Sequence, residues 1–261
     1  MKSALRKITR TIIIAGVFYI AGSCFAPIPV LAGEFKVSPI TLEFGQGVTS
    51  GVFTVTNEGQ EKLNFQISVS RWTQSPEGKD IYTDTADIVF FPKIMTLERG
   101  EQRVIRAGLK GTQPREEKTY RIFIEQIPSR GTGTGTGAGA GIVFYIRFAP
   151  PIFVLPAVIK KSGVIEAISL SRGKITARVK NTGNVHLKVT SIFIKGRAAN
   201  GDELFSKEIA GWYLLHHIAR NIEVPFPQDQ CGKLAAVEIE AKTENFNLNG
   251  KLDVQRGMCC P

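Results

Sequence analysis

The side chains most often used in catalysis and metal binding are few in this chain of 261 residues. Its three histidines are His186, His216 and His217, and none belongs to an HExxH or GxSxG sequence, which would supply zinc ligands or an activated serine. Acidic pairs occur at Glu116-Glu117 and Asp202-Glu203, both in predicted loops. We therefore predict no catalytic site, no metal site and no cofactor. His186 is expected to be a half-exposed polar residue at a strand start, and His216-His217 to lie at a hairpin tip.

The four cysteines indicate a disulfide rather than a metal site. Cys24 lies in an apolar N-terminal segment, which leaves Cys231, Cys259 and Cys260. Adjacent cysteines rarely bond each other because the ring is strained, and a metal site would need a fourth ligand at CxxC or histidine spacing. We expect Cys231 to pair with one of the two tail cysteines and the other to stay free.

Residues 131–141 read GTGTGTGAGAG, which raises the possibility of a phosphate-binding loop. The glycines fall only at odd positions, so the GxGxxG spacing never occurs, and no Gly-Lys-Ser/Thr follows. Such small side chains bury too little area to offset the entropy of ordering. The stretch is predicted to be a flexible loop.

The N-terminus has the pattern of an export signal. Four basic residues precede the apolar run Ile12 to Ala21, and Val30-Leu31-Ala32 offers a cleavage site before Gly33. Two alternatives stay open: an uncleaved anchor over residues 12–32, and a lipoprotein acylated at Cys24. Removing residues 1–32 lowers the net charge from +10 to +6. The remaining basic residues are dispersed, so nucleic-acid binding is not expected.

The rest of the chain indicates an all-β fold. Short apolar alternations are separated by turn residues every 8–12 positions, which is typical of β-sandwiches. Two such series follow each other, and Pro150, Pro151 and Pro156 are expected to break the strand ladder and mark the joint. The predicted divisions are a signal peptide at 1–32, sandwich domains at 33–156 and 157–254, and a cysteine-containing tail at 255–261.

One strand has a bulky apolar face next to the glycine-rich loop. It spans residues 142–148, and Ile142, Phe144, Ile146 and Phe148 alternate on that face. Periodicity allows two interpretations: these side chains face their own core, or they belong to an exposed edge strand that pairs with another protein.

Four segments resemble the periplasmic pilus-assembly chaperones of the PapD-like family. Residues 37–44 resemble the first strand of that family. Residues 91–106 resemble its P…LEPGEQ…IR segment, with Arg99 in place of the proline. Residues 120–128 are similar to its YR-hydrophobic-EIP strand, and Asn181-Thr182-Gly183-Asn184 matches the turn of its second domain.

The resemblance implies two immunoglobulin-like domains in an L-shaped arrangement and a periplasmic chaperone that is not an enzyme. Its partners would be pilus or fimbrial subunits or related secreted β-rich subunits and an outer-membrane usher, with self-association through the same strand as a further possibility. Family members lend a strand to an incomplete subunit, a form of β-augmentation called donor-strand complementation. Ile142, Phe144 and Ile146 occupy the implied donor positions, with Phe148 continuing that face.

One feature departs from the family pattern. The family anchors the terminal carboxylate of the subunit with two basic residues, and the corresponding positions here are Thr41 and Pro151. Arg147 on the donor strand is the candidate replacement, and Lys36 is the weaker one. The main alternative function is an immunoglobulin-like surface, adhesion or structural module, lipid-anchored through Cys24.

Overall fold

The computed structural model describes residues 35–75, 77–127, 145–255 and 257–258. Nearly all regular structure in these residues is β-strand, apart from a single short 3-10 helix at Gln228–Lys233. The strands form two β-sandwiches, and both belong to one compact unit that begins at Phe35. This arrangement confirms the predicted all-β class with two immunoglobulin-like sandwiches.

Eleven strands of the described residues build the first sandwich. They are β1 (Phe35–Ser38), β2 (Leu42–Phe44), β3 (Ser50–Asn57), β4 (Leu63–Gln74), β5 (Asp80–Asp84), β6 (Ile88–Phe91), β7 (Ile94–Leu97), β8 (Gln102–Leu109), β9 (Lys118–Ile127), β10 (Arg147–Phe148) and β11 (Pro151–Val154). One sheet has the order β1-β3-β8-β6, and the facing sheet has the order β2-β11-β9-β4-β5. In that second sheet, β10 also pairs with β9 and β7 pairs with β4.

Alternation of apolar side chains explains the core of this sandwich. Phe53 and Val55 of β3 face inward while their neighbours in sequence are more exposed, as a period of two requires. Phe65 on β4 and Ile122 on β9 meet them from the facing sheet, and all four side chains are fully buried. A layer of large apolar side chains of this kind drives the two sheets together.

Seven strands of the described residues build the second sandwich. They are β12 (Gly163–Ser171), β13 (Lys174–Asn181), β14 (Leu187–Ala198), β15 (Glu203–Leu214), β16 (Ala219–Pro225), β17 (Leu234–Thr243) and β18 (Asn247–Asp253). Their sheets have the orders β12-β13-β16 and β15-β14-β17-β18. Ile192 and Ile194 of β14 and Val237 of β17 lie in the core between them.

A third apolar cluster joins the two sandwiches. Trp72 of β4 and Phe153 of β11 pack there with Leu215, which follows β15. All three side chains are buried, and Trp72 also contacts the ring of Tyr213 edge-on. The strand that ends the first sandwich therefore packs directly against the second one.

Candidate functional site

Strands β10 and β11 are two parts of one extended segment that follows β9. Arg147 pairs with Glu125 and Pro151 pairs with Arg121, which is the same antiparallel register on both sides of the interruption at residues 149–150. The backbone N–H of Gln126 donates to the carbonyl of Ile146 at 3.1 Å, and the N–H of Ile122 donates to that of Pro150 at 3.2 Å. Pro151 was predicted to break the ladder, and this was wrong, because a proline is compatible with the first position of a strand.

The side chains on the inward face of this segment become more exposed from Val154 back to Ile146. Val154 and Ile152 lie in the core of the first sandwich, and Phe148 packs against that core half-buried. Ile146, the next residue on the same face, is 37% exposed. Ile142 and Phe144 lie outside the described residues. Of the four predicted donor residues, the structure therefore places Phe148 at the margin of the core and Ile146 beyond it.

Among the described residues, none pairs with the main-chain edge beside Ile146 on the side away from β9. On the side away from β9, strand β2 pairs in parallel with Ile152–Val154. Within the described part of the chain, Arg147–Phe148 pairs with β9 alone. A strand edge of this kind presents free N–H and C=O groups that another chain can pair with.

The two predicted basic anchors lie in different environments. The Arg147 guanidinium lies 4.0 Å from the centroid of the Phe123 ring, and its Nε is 3.9 Å from a carboxylate oxygen of Glu125. Lys36 is exposed on β1 and pairs with Thr56 in the other sheet. The structure does not bring these two cations together in one strand pair.

A third cation, Arg121, lies in the same row as Thr41 and Pro151. Leu42 lies opposite Ile152 in the parallel pair, so Thr41 and Pro151 precede this pair side by side. Arg121 is the partner of Pro151 on β9. Its Nη1 donates to the carbonyl of Ala149 at 2.7 Å.

The guanidinium of Arg121 lies close to aromatic rings. Its guanidinium lies 3.8 Å from the centroid of the Trp72 ring and 5.7 Å from that of Tyr213. In the described ranges no carboxylate forms an ion pair with it. Burial is the main cause that lowers the pKa of Arg121. The sequence placed Arg121 inside a family segment without a role, because only the sheet register shows which residues lie opposite it.

The histidines gather where the two sandwiches meet. The predicted half-exposed His186 is nearly buried, with 12% of its side chain exposed, and its Nδ1 lies 2.8 Å from Oε1 of the buried Glu117. His217 Nε2 lies 2.9 Å from Glu116 Oε1. In the ranges that the structure describes, no three His, Cys, Asp or Glu side chains form a metal-binding group.

Two further observations concern cysteine and membranes. Cys231 is disulfide-bonded, and the other three cysteines of the chain lie outside the described residues. Its pairing with the tail therefore stays a prediction. None of the helical structure in the described residues is long and apolar enough to cross a bilayer.

Comparison with known proteins agrees with this architecture. Residues 34–160 match the family described as pili and flagellar-assembly chaperone, PapD N-terminal domain. Among curated protein sequences none matches significantly.

Solved structures of chaperones share the fold of both sandwiches. The class 5 fimbriae chaperone CfaA is 20% identical, with a TM-score of 0.53 over 85% of this chain and 99% of that one. The CsuC–CsuE chaperone–tip adhesion subunit complex of Acinetobacter baumannii gives 15% identity and a TM-score of 0.56 over 83% of this chain and 98% of the matched chain. The complex of the SafA pilin with the SafB chaperone of Salmonella enterica gives 15% identity and a TM-score of 0.53 over 85% of this chain and 97% of the matched chain.

Two linked immunoglobulin-like sandwiches are thus the fold that this chain shares with these chaperone structures. Residues 34–160 of the chain belong to the family of pili and flagellar-assembly chaperones.

Proposed function

We propose that this chain is a chaperone that binds and stabilises pilus or fimbria-like subunits by lending them the strand that contains residues 142–148. The observation that carries the proposal concerns Ile146. At this residue the inward apolar row becomes exposed to solvent, directly beside the open edge of β10. Ile142 and Phe144 would continue that row into the subunit.

The physical basis is the same as for strand pairing inside a sheet. Main-chain hydrogen bonds along the edge would supply affinity and register, and alternate apolar side chains would fill the groove of a subunit that lacks one strand. Burying one Ile or Phe side chain contributes about 2 kcal/mol. Three such side chains would contribute about 6 kcal/mol before the entropic costs of association. No nucleotide is needed, because the subunit later exchanges one strand for another.

The cellular setting follows from the N-terminal pattern and the family. The chain would be exported by cleavage of residues 1–32, act in the periplasm without catalysing a reaction, and deliver its subunits to an outer-membrane usher. Its Cys231 disulfide is compatible with an oxidising compartment.

Arg147 would serve as the cation for the terminal carboxylate of the subunit. Its side chain is 55% exposed, and its contact with Glu125 at 3.9 Å is long for an ion pair, so a second carboxylate could compete for it. Lys36 would be the alternative. Replacing Arg147 with Gln would weaken subunit binding while Lys36→Gln would not, if Arg147 has this role.

The test is capture of a subunit by the tagged full chain from a periplasmic extract, identified by mass spectrometry. The donor variant carries Ile142→Ser, Phe144→Ser and Ile146→Ser. The matched control carries serine at three exposed aliphatic positions elsewhere, Val48, Val158 and Ile159, which are 52%, 77% and 42% exposed. We expect a β-rich secreted subunit to co-purify with the wild type and the control and to be lost from the donor variant. Equal recovery with the donor variant would contradict the proposal.

A further inference from the structure

The donor segment is the part of the proposed donor strand that precedes β11. Its open edge has a defined end. Residues of a β-strand direct their N–H and C=O groups alternately to the two sides. Ile146 and Pro150 direct their carbonyls to β9. The odd-numbered residues therefore face the other side, as does Leu155, whose N–H donates to the carbonyl of Phe44 at 2.7 Å. Tyr145, Arg147 and Ala149 thus provide the groups that an added strand would use.

Ala149 is already engaged. Its carbonyl accepts a hydrogen bond of 2.7 Å from Arg121 Nη1. A hydrogen bond from a charged donor is stronger than one between neutral groups, so an incoming N–H would have to displace the better partner.

Beyond Ala149 the edge offers little to a second strand. The next outward residue, Pro151, has no N–H to donate. From Ile152 to Val154 the same side is occupied by β2. Ala149, whose carbonyl Arg121 binds, is therefore the last position at which an added strand could still pair with this edge.

An aromatic ring restrains the Arg121 side chain for this task. Trp72, which is 1% exposed, lies under the guanidinium plane at 3.8 Å, and Pro151 lies opposite Arg121 in the sheet register. Packing against an indole ring restricts the guanidinium without using its hydrogen-bond donors.

We infer that Arg121 caps the open edge at Ala149 and thereby sets the register in which a client strand pairs with the donor segment. This inference rests on the proposed function, since it assigns a register-determining residue to the same binding edge. A client strand would pair with Tyr145 and Arg147 and stop before Ala149, which fixes which client side chains lie next to Ile146.

The cap can be tested first on the free full chain by NMR hydrogen exchange of arginine side chains. Arg147, which is 55% exposed, is the internal reference. We expect the guanidinium protons of Arg121 to exchange roughly tenfold more slowly than those of Arg147, because a hydrogen bond must open first. Equal exchange rates would overturn the cap.

The register is tested in the complex with the subunit recovered by the wild type, comparing wild type with Arg121→Met. Methionine retains apolar contact with Trp72 but cannot donate, and Arg121→Lys serves as a second variant that keeps a charged donor. We expect the client amide that lies opposite the carbonyl of Ala149 to stay unprotected in the wild-type and lysine complexes and to gain roughly tenfold protection in the methionine complex. Protection of that client amide in the wild-type complex, or none in the methionine complex, would overturn the inference. The donor variant tests the proposed function independently of the register. If that variant still captures the subunit, the proposed function is contradicted, whatever the hydrogen exchange of the complexes shows.

Discussion

The imidazole ring of His186 lies flat on the phenyl ring of Phe153, with the ring centroids 3.7 Å apart and 14° between the planes. Phe153 belongs to β11, the strand that continues the donor segment, and His186 immediately precedes β14 of the second sandwich. Glu117 fixes the imidazole, because its carboxylate accepts from the backbone N–H of His186 at 2.7 Å and lies 2.8 Å from Nδ1. The second sandwich thus supports the strand that continues the one we propose to be lent.

Glu117→Ala is expected to destabilise the fold by about 2 kcal/mol, because it leaves the N–H of His186 without an acceptor in a buried environment. Glu117→Gln should cost much less, since the amide can accept from that N–H and donate to Nδ1 once the imidazole changes tautomer. Urea unfolding measures both. Glu116→Ala is the matched control: its carboxylate is half exposed, and an exposed pair contributes about 0.5 kcal/mol. If alanine at 117 costs no more than alanine at 116, the buried pair does not hold the junction.

Each sandwich contains a buried asparagine that is hydrogen-bonded in a similar way. Asn57 Oδ1 accepts from the N–H of Gly59 at 2.9 Å, and its Nδ2 donates to the carbonyls of Glu61 at 2.8 Å and Leu97 at 3.2 Å. Asn181 Oδ1 accepts from the N–H of Gly183 at 2.9 Å. Its Nδ2 donates to the carbonyls of Val185 at 2.8 Å and Leu214 at 2.9 Å. Both asparagines tie a tight turn to a distant strand.

Asn57→Ala and Asn181→Ala should each destabilise by about 2–3 kcal/mol, because each removal leaves several buried main-chain groups unpaired. Asn200→Ala is the control, since Asn200 is exposed and bonds only within its own turn to Asp202. Thermal unfolding should show a clear drop in midpoint for the first two variants and little change for the third. A drop for Asn200→Ala as large as for Asn181→Ala would argue against this account.

Local sequence patterns were sufficient for several of the strands and their inward faces. The alternation in Phe53 and Val55 and in Ile122 and Ile124 gave the core positions, because a period of two assigns each side chain to one face of a sheet. The Asn181 turn was likewise visible in the sequence. The pattern could not show whether a face is covered: Ile146 and Ile152 alternate on one face, yet Ile146 is 37% exposed and Ile152 is 0% exposed.

The parts of the site that the sequence did not predict depend on long-range pairing. The row of Thr41, Pro151 and Arg121 exists because β2 runs parallel to β11 while β9 runs antiparallel to it. Glu117 and His186 meet across 69 residues of sequence. Periodicity within one strand contains no information about such registers, so the role of Arg121 became visible only from the sheet.

The pH dependence of stability should come in part from His216. Burial lowers the pKa of this imidazole, and its buried Nδ1 has no hydrogen-bond partner in the described part of the chain. Because the pKa is lower in the folded state than in the unfolded one, the unfolded chain takes up a proton first as the pH falls below about 6.5. The stabilisation by neutral His216 is therefore complete above that pH and is lost as the pH falls through the folded-state pKa.

Urea midpoints measured between pH 8 and pH 5 should fall less steeply for His216→Gln than for the wild type. His217→Gln, at a neighbouring side chain that is 56% exposed, is the matched control. An unchanged slope in His216→Gln would show that the buried imidazole is not its source.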